Sequence, residues 1–152
     1  MIDKISDYKN PQLLTHDELH SALNELLEAE RAGARATLET AQQLIDIELI
    51  NIVTNIQIDE IRWCKMLLKL IQGLDVPPST KTGEFYKKAI AISDTTERLV
   101  FINRGQSWVV KRLQSLIPRV NEENIRENLQ IMLEAHQENI QQVEKALNQK
   151  SK

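Results

Sequence analysis

The sequence LLEAERAGAR, residues 26–35, places a charged residue where a helical pattern calls for an apolar one. Its leucines and alanines recur at intervals of three and four, which gathers them on one face of an α-helix. Glu30 falls on that same face. A carboxylate buried without a partner is costly. We therefore expect this glutamate to have polar or charged partners inside the protein.

The same periodicity extends outward from this stretch and predicts four long helices. Thr15 and Glu18, in the sequence THDE, have the spacing of a capping box and mark the start of the first helix. Gly73, followed by Pro77 and Pro78, is expected to end the second helix in a left-handed conformation. The predicted helices cover residues 16–44, 47–72, 96–117 and 122–148.

The connections between these helices predict their arrangement. Helices one and two, and helices three and four, are separated by short links, so each pair should form an antiparallel hairpin. Residues 73–95 join the two hairpins, include a short amphipathic piece at 85–92, and are long enough to cover the bundle. We predict an all-α domain over residues 15–149, after an N-terminal arm at 1–14. The alternative is an up-down-up-down bundle with a folded-over loop.

Composition limits the classes of function. The 152 residues suffice for one domain, and their 19 basic and 22 acidic side chains are well mixed, which argues against a nucleic-acid partner. No apolar run approaches the ~20 residues that span a membrane, and the first residues lack a secretory signal. A single cysteine, Cys64, suits a reducing compartment. We expect a cytoplasmic protein, with the basic residues between Arg98 and Arg119 on its surface.

Polar residues interrupt the apolar face of every long helix at about its middle. Counted from a turn near residue 45, Glu30 and Glu60 are equally distant, and should lie opposite each other. Counted from a turn between residues 119 and 120, Asn103 lies opposite His136. Gln106 faces the same way, one turn beyond Ile102. These positions predict a polar cluster at the centre of the bundle.

The segments LLEAERAGAR, DEIRWC, TGEFYKKAIA, ERLVFINRGQSWVVKRL and MLEAHQENI resemble, in this order, an uncharacterised ferritin-like family. The resemblance covers nearly the whole chain from about residue 15 and implies a ferritin-like four-helix bundle. Di-iron members of that superfamily use a glutamate on two helices and Glu-x-x-His on the other two. This chain departs from the pattern: Trp63 stands three residues after Glu60, the third helix offers Asn103 or Gln106, and the fourth has HQEN from His136.

These departures leave too few ligands for a two-metal site. A mononuclear site for iron or another divalent metal, with Glu30, Glu60 and His136 as ligands, is one interpretation, because three protein ligands and a water suffice. We favour the other interpretation, a metal-free polar core without a cofactor. The neighbours expected to balance the acids in that core are Asn103, Arg104, Gln106 and Asn139.

Two function classes follow from these interpretations. The first is a non-enzymatic binding or structural module, expected to form a homodimer through Phe85, Phe101 and Trp108. The second is a metal-binding or redox protein with the reduced Glu/Glu/His site. A small-ligand binder that uses a polar pocket between the hairpins is a third class. His16 and His20, one turn apart, are expected to face solvent rather than hold a metal.

Overall fold

The structure is a computed structural model that describes residues 12–150. Most of the predicted N-terminal arm, residues 1–11, lies outside the described part. Within residues 12–150 the fold consists of five α-helices and one 3-10 turn. They are α1 (His16–Gln43), α2 (Ile47–Gly73), α3 (Phe85–Ile90), α4 (Thr95–Leu116), the turn Ile117–Arg119, and α5 (Glu123–Lys150). The described chain is therefore all-α, as predicted, and the four long helices begin and end within two residues of the predicted positions.

Side-chain caps explain where three of the helices begin. Thr15 and Glu18 form the predicted capping box at α1, with each side chain bonded to the other's backbone N–H. Asp46 accepts a hydrogen bond from the Leu49 N–H at α2, and Asp94 caps α4 in the same way. α2 ends at Gly73, as predicted, but Gly73 is not left-handed. The left-handed residue is Asp75, with φ 60°, a conformation that aspartate tolerates better than most residues.

Each long helix packs against two others in the described chain. The pairs are α1 with α2, α4 with α5, α1 with α4, and α2 with α5. The segment between α2 and α4 follows α1 over most of its length. In order along α1, His16 contacts Leu74, Glu28 contacts Gly83, and Glu39 contacts Tyr86. At the end of α1, Gln43 contacts Arg98 in the first turn of α4. None of the described helices is long and apolar enough to cross a lipid bilayer.

The interior contains two layers in which each long helix contributes one side chain. The leucine layer consists of Leu23, Leu67, Leu113 and Leu129, all fully buried. The polar layer consists of Glu30, Glu60, Gln106 and His136, also buried. In every helix the two layers are seven residues, or two turns, apart. A second, smaller apolar cluster around Leu49, Val53, Leu99 and Ala146 lies on the far side of the polar layer.

Candidate functional site

Glu30 and His136 form a charged contact in the polar layer. Glu30 Oε1 lies 2.7 Å from His136 Nε2, and each residue is only 1% exposed. His136 Nδ1 lies 2.9 Å from the Met132 carbonyl oxygen, one turn earlier in α5. Burial alone would lower the pKa of His136, but the charge of Glu30 and these two contacts together raise it. The raised pKa favours the charged imidazolium beside Glu30 and so favours an ion pair, although Nε2 and Oε1 are not aligned as a hydrogen bond.

Glu60 and Gln106 form the second contact of the layer. The Gln106 amide donates a hydrogen bond from Nε2 to Glu60 Oε1, while Glu60 Oε2 has no hydrogen-bond partner in the described chain. Burial and the nearby charge of Glu30 raise the pKa of Glu60 well above its usual value, against the opposing effect of the Gln106 bond. Glu60 therefore keeps its proton at a pH where an exposed glutamate has lost it.

These contacts join helices that do not pack directly. Within residues 12–150, α1 makes no close backbone contact with α5, nor α2 with α4. The Glu30–His136 contact nevertheless links α1 to α5, and the Glu60–Gln106 bond links α2 to α4. The sequence predicted Glu30 opposite Glu60 and Asn103 opposite His136. The structure brings Glu30, Glu60, Gln106 and His136 into one layer, but with these diagonal partners.

Gly33, within the stretch LLEAERAGAR, makes the space for Glu60. A Cβ atom at this position would lie only 2.7 Å from Glu60 Cδ and would overlap its carboxyl oxygens. Sequence reasoning missed this residue. The available signal was a glycine in the middle of a long helix, which often marks close packing of a neighbour. Gly33 thus belongs to the site although it has no functional side chain.

The other predicted neighbours have different partners. The Asn103 amide donates from Nδ2 to the Ile140 carbonyl oxygen at 3.4 Å. The Asn139 amide donates from Nδ2 to Asp59 Oδ2 at 3.0 Å. The prediction for Arg104 is wrong, because its position on α4 turns the side chain outward and it is exposed.

A different arginine is buried, contrary to the prediction that it would lie on the surface. Arg98 donates from Nε to the Ile92 carbonyl oxygen at 2.9 Å and from Nη1 to Gln43 Oε1 at 2.6 Å. Its charge therefore lies near the end of the segment that leads into α4, away from the two acids of the polar layer.

His16, His20 and Cys64 are the remaining residues whose side chains could bind a metal or act as a nucleophile. His16 Nε2 and His20 Nε2 are 3.2 and 3.4 Å from the carbonyl oxygens of Leu74 and Pro77, so these rings hold the connecting segment against α1. His16 is exposed and His20 is half-buried. Burial raises the pKa of Cys64 to about 12, which keeps it a thiol. Within the described chain, no group of three or more His, Cys, Asp or Glu is arranged to hold a metal ion.

A cavity of about 490 Å³ opens beside the polar layer, between α1, α3 and α4. Glu30, Gly33, Glu60 and Gln106 line its inner part. Its apolar wall is formed by Ala29, Phe85, Phe101, Ile102, Trp108 and Val109. Glu25, Glu28, Glu84 and Lys88 are the charged residues that complete its lining.

A contact between Phe85 and Gly105 and a stack of two aromatic rings help to shape the cavity. The Phe85 ring lies against Gly105, where a Cβ would be 2.7 Å from the ring carbons. Phe85 and Phe101 stack with centroids 4.9 Å apart, and both are half-buried, whereas Trp108 is 44% exposed. The aromatic residues predicted to meet a second copy therefore lie around this cavity.

Fold and site together define an all-helical protein with a charged centre and an adjoining open cavity. A family model described as "Domain of unknown function (DUF6306)" matches residues 17–146, and the chain belongs to that family. The matched region includes all four residues of the polar layer and the whole lining of the cavity. No curated protein and no solved structure matches this chain.

Proposed function

We propose that this chain is a non-enzymatic, ferritin-like bundle that binds a small ligand in the cavity beside a metal-free polar core. The observation that carries this proposal is the cavity itself. Its volume of about 490 Å³ falls in the range of roughly 300–1,000 Å³ that is typical of small-molecule sites. Apolar walls with a few polar groups at the base are also typical of such sites, and here the base includes Glu60 Oε2, which has no hydrogen-bond partner in the described chain.

The ferritin-like part of the proposal is supported by the path of residues 74–94. That segment runs along most of α1 before α4 begins, from the contact of Leu74 with His16 to the contact of Tyr86 with Glu39. One long connection between two helical hairpins is the ferritin-like arrangement. The polar layer at mid-length of all four long helices is the second supporting feature.

The metal-free part is supported by the partners that the acids have within the chain. Glu30 has the positive charge of His136 at 2.7 Å, and Glu60 retains its proton and receives the Gln106 amide. Both acids are therefore accommodated without a cation. The layer links the diagonal helix pairs and so specifies how the four helices are arranged around the axis.

A thermal-shift screen tests the proposed function. A panel of small molecules of positive, neutral and negative charge is added to the full chain, and at least one is expected to raise the melting temperature. Ala29→Phe places a ring in the cavity and should abolish that shift. Ala34→Phe is the matched control, because Ala34 lies on the same helix, is half-buried and does not line the cavity. The proposal fails if no compound shifts the wild type, or if the shift survives Ala29→Phe.

The second candidate is a metal-binding or redox protein with a mononuclear site. Glu30 Oε1, Glu60 Oε2 and His136 Nε2 all lack a hydrogen bond in the described chain, and these atom types suit iron or another divalent metal. Elemental analysis of protein purified without chelators separates the two candidates. Stoichiometric metal that is lost in Glu60→Ala would favour the metal site. Substoichiometric metal that is unchanged in this variant would favour the metal-free core.

We also propose that the chain forms a homodimer and acts in the cytoplasm. The exposed Trp108 ring is the feature that supports self-association, because aromatic residues are enriched at interfaces. Sedimentation velocity at micromolar concentration should show a dimer, and Trp108→Glu should convert it to a monomer. A wild-type monomer at that concentration contradicts the dimer. Cell fractionation tests the location.

A further inference from the structure

We propose that the ligand of the cavity is a primary amine with an apolar body, bound with its ammonium group at Glu60 and its body along the aromatic wall. This inference rests on the proposed function and specifies the chemical class of its ligand. It follows from the hydrogen-bonding atoms at the base of the cavity, from the charge of its lining, and from the shape and polarity of its wall.

The polar atoms at the base without a hydrogen bond are all oxygens of carboxyl or amide groups. Among residues that line the cavity, the buried side-chain atoms without a hydrogen bond are Glu30 Oε1, Glu60 Oε2 and Gln106 Oε1. The Gln106 nitrogen is already used, because it donates to Glu60 Oε1. Once Glu60 is ionised, all three of these oxygens are acceptors, so a ligand that ionises Glu60 and satisfies them must bring donors. An ammonium group has three N–H donors and no acceptor, whereas a carboxylate would place more acceptors against them.

The charged residues of the lining favour a cation. Five of them are glutamates, and the single basic one, Lys88, is exposed. Arg112 Nε contacts Glu25 Oε1 at 2.7 Å, which leaves Glu28 and Glu84 as the acids at the entrance that have no ion pair within residues 12–150. A cleft with an excess of one sign of charge and apolar walls concentrates ligands of the opposite charge.

The wall opposite these acids fits a hydrocarbon body. Phe85 and Phe101 present two stacked rings, and Ile102, Val109 and Trp108 extend the apolar surface toward solvent. Phe85 can approach α4 this closely only because residue 105 is glycine. A flat or extended apolar group gains free energy from contact with this wall, at about 25 cal/mol per Å² of area removed from water.

A change in the charge state of Glu60 on ligand binding can be measured as proton release. Around this carboxyl lie Glu30 from α1, the uncharged Gln106 from α4, His136 from α5, and Asp59 and Cys64 from its own helix. Without a ligand, Glu60 holds its proton to raised pH. An ammonium ion beside it favours the carboxylate. Binding should therefore release one proton from Glu60 to the solvent, with the amine bound as the cation.

Isothermal titration calorimetry of the full chain tests the ligand class. The probe is 2-phenylethylamine, and its matched controls are 2-phenylethanol and phenylacetate, which keep the ring and replace the charged group. We expect the amine to bind at least about tenfold more tightly than either control. Its apparent binding enthalpy should also differ between phosphate and MOPS buffers, neither of which is a primary amine, by an amount that corresponds to about one released proton.

Glu60→Gln tests the position of the ammonium group. It keeps the length and one acceptor oxygen but removes the negative charge, so amine affinity should fall about tenfold or more while 2-phenylethanol affinity stays unchanged. Glu144→Gln, an exposed change on α5 away from this cavity, is the matched control and should alter neither affinity. The wild-type ligand series and proton release remain decisive if Glu60→Gln does not fold.

The outcomes separate this inference from the proposed function. If the alcohol or phenylacetate binds as tightly as the amine, and Ala29→Phe abolishes that binding, the ligand class is wrong and the cavity is still a binding site. If the amine does not bind, binds without proton release, or binds Glu60→Gln equally well, the inference is also overturned. The proposed function fails only when the broader panel gives no cavity-dependent shift.

Discussion

The leucine layer and the polar layer contain the same number of residues from the same four helices, yet they have different roles. Both are buried, and they are two turns apart along each helix. Leucines attract one another without direction, so their layer stabilises any arrangement that excludes water. The polar layer requires a particular partner for each group, because an unpaired buried charge is costly. The comparison indicates that one layer supplies stability and the other specifies the arrangement.

The contacts of the polar layer join diagonally opposite helices. The leucine layer does not distinguish diagonal helices from neighbouring ones. Every long helix contributes a leucine, so the leucine layer is compatible with any order of the four helices around the axis. A different order would change the diagonal partner of Glu30, which is His136. A buried ion pair adds little net stability relative to apolar residues of similar size, but breaking it by removing one partner is strongly destabilising.

The largest expected effect comes from breaking this pair. His136→Ala leaves the Glu30 carboxylate buried without its counter-charge, and should lower the free energy of unfolding by about 3–5 kcal/mol. Urea denaturation at neutral pH measures the loss. Glu138→Ala, an exposed position two residues along α5, is the control and should change stability by less than about 0.5 kcal/mol.

A double substitution sharpens the same prediction. Replacing both partners, as Glu30→Met with His136→Leu, removes the charges together and should restore most of the stability lost in His136→Ala. A double variant as unstable as the single one would contradict the view that the pair specifies arrangement rather than stability.

The next effect is in the leucine layer. Leu67 is fully buried, and Leu67→Ala should cost about 2–5 kcal/mol because it removes apolar contact and leaves a cavity. The loss should be the same in the wild type and in Glu60→Gln, because the two positions are about 10 Å apart along α2. Urea denaturation of the wild type, the two single variants and the double variant is the measurement. A coupling above about 1 kcal/mol would show that the layers do not act independently.

The sequence was sufficient to predict the four long helices and the depth at which their polar residues lie. It was not sufficient to pair them. Counting from a turn determines how far along the axis a residue lies, but the angle around the axis depends on how each helix is rotated. Glu30 was therefore expected to meet Glu60, whereas its close partner is His136, across the bundle.

The two arginines and Gly33 show the same limit at single residues. Arg98 is buried because a carbonyl from the connecting segment, that of Ile92, lies beside it, and the sequence does not reveal where that carbonyl will be. Arg104 is exposed because of its angle on α4. A mid-helix glycine indicates close packing, but only the structure shows that a carboxyl group fills the space at Gly33.

A smaller effect is expected at Gly33. A methyl group there overlaps the Glu60 carboxyl, which must move away from its Gln106 bond, so Gly33→Ala should cost about 1–3 kcal/mol. In a Glu60→Ala background the space is empty, and the same change should be neutral or stabilising. Gly73→Ala is the control, since nothing lies within 4 Å of a Cβ there. If Gly33→Ala lowered the free energy of unfolding equally in both backgrounds, overlap with Glu60 would not be the cause of the loss.

The smallest effect is a change in the pH dependence of the free energy of unfolding. It distinguishes the two layers most directly, because only the polar layer contains groups that titrate. The pKa of Glu60 is raised in the folded chain by burial and by Glu30, against a value near 4.5 when unfolded. Above that value the unfolded chain loses this proton while the folded chain keeps it, so Glu60 lowers stability as the pH rises toward its folded pKa. His136 also has a raised pKa, and its contribution is lost as the pH rises above 6.5 and through the folded value.

Urea denaturation at intervals between about pH 5 and pH 8 tests this sign. The free energy of unfolding of the wild type minus that of Glu60→Gln should fall as the pH rises from about 5, because only the wild type contains the titrating carboxyl. The difference between the wild type and Leu67→Ala should stay constant over the same range, because leucine does not titrate. A wild-type-minus-Glu60→Gln difference that is flat or rises with pH would mean that Glu60 is already ionised in the folded chain. The polar layer would then carry a second buried negative charge, and a bound cation would be needed to balance it.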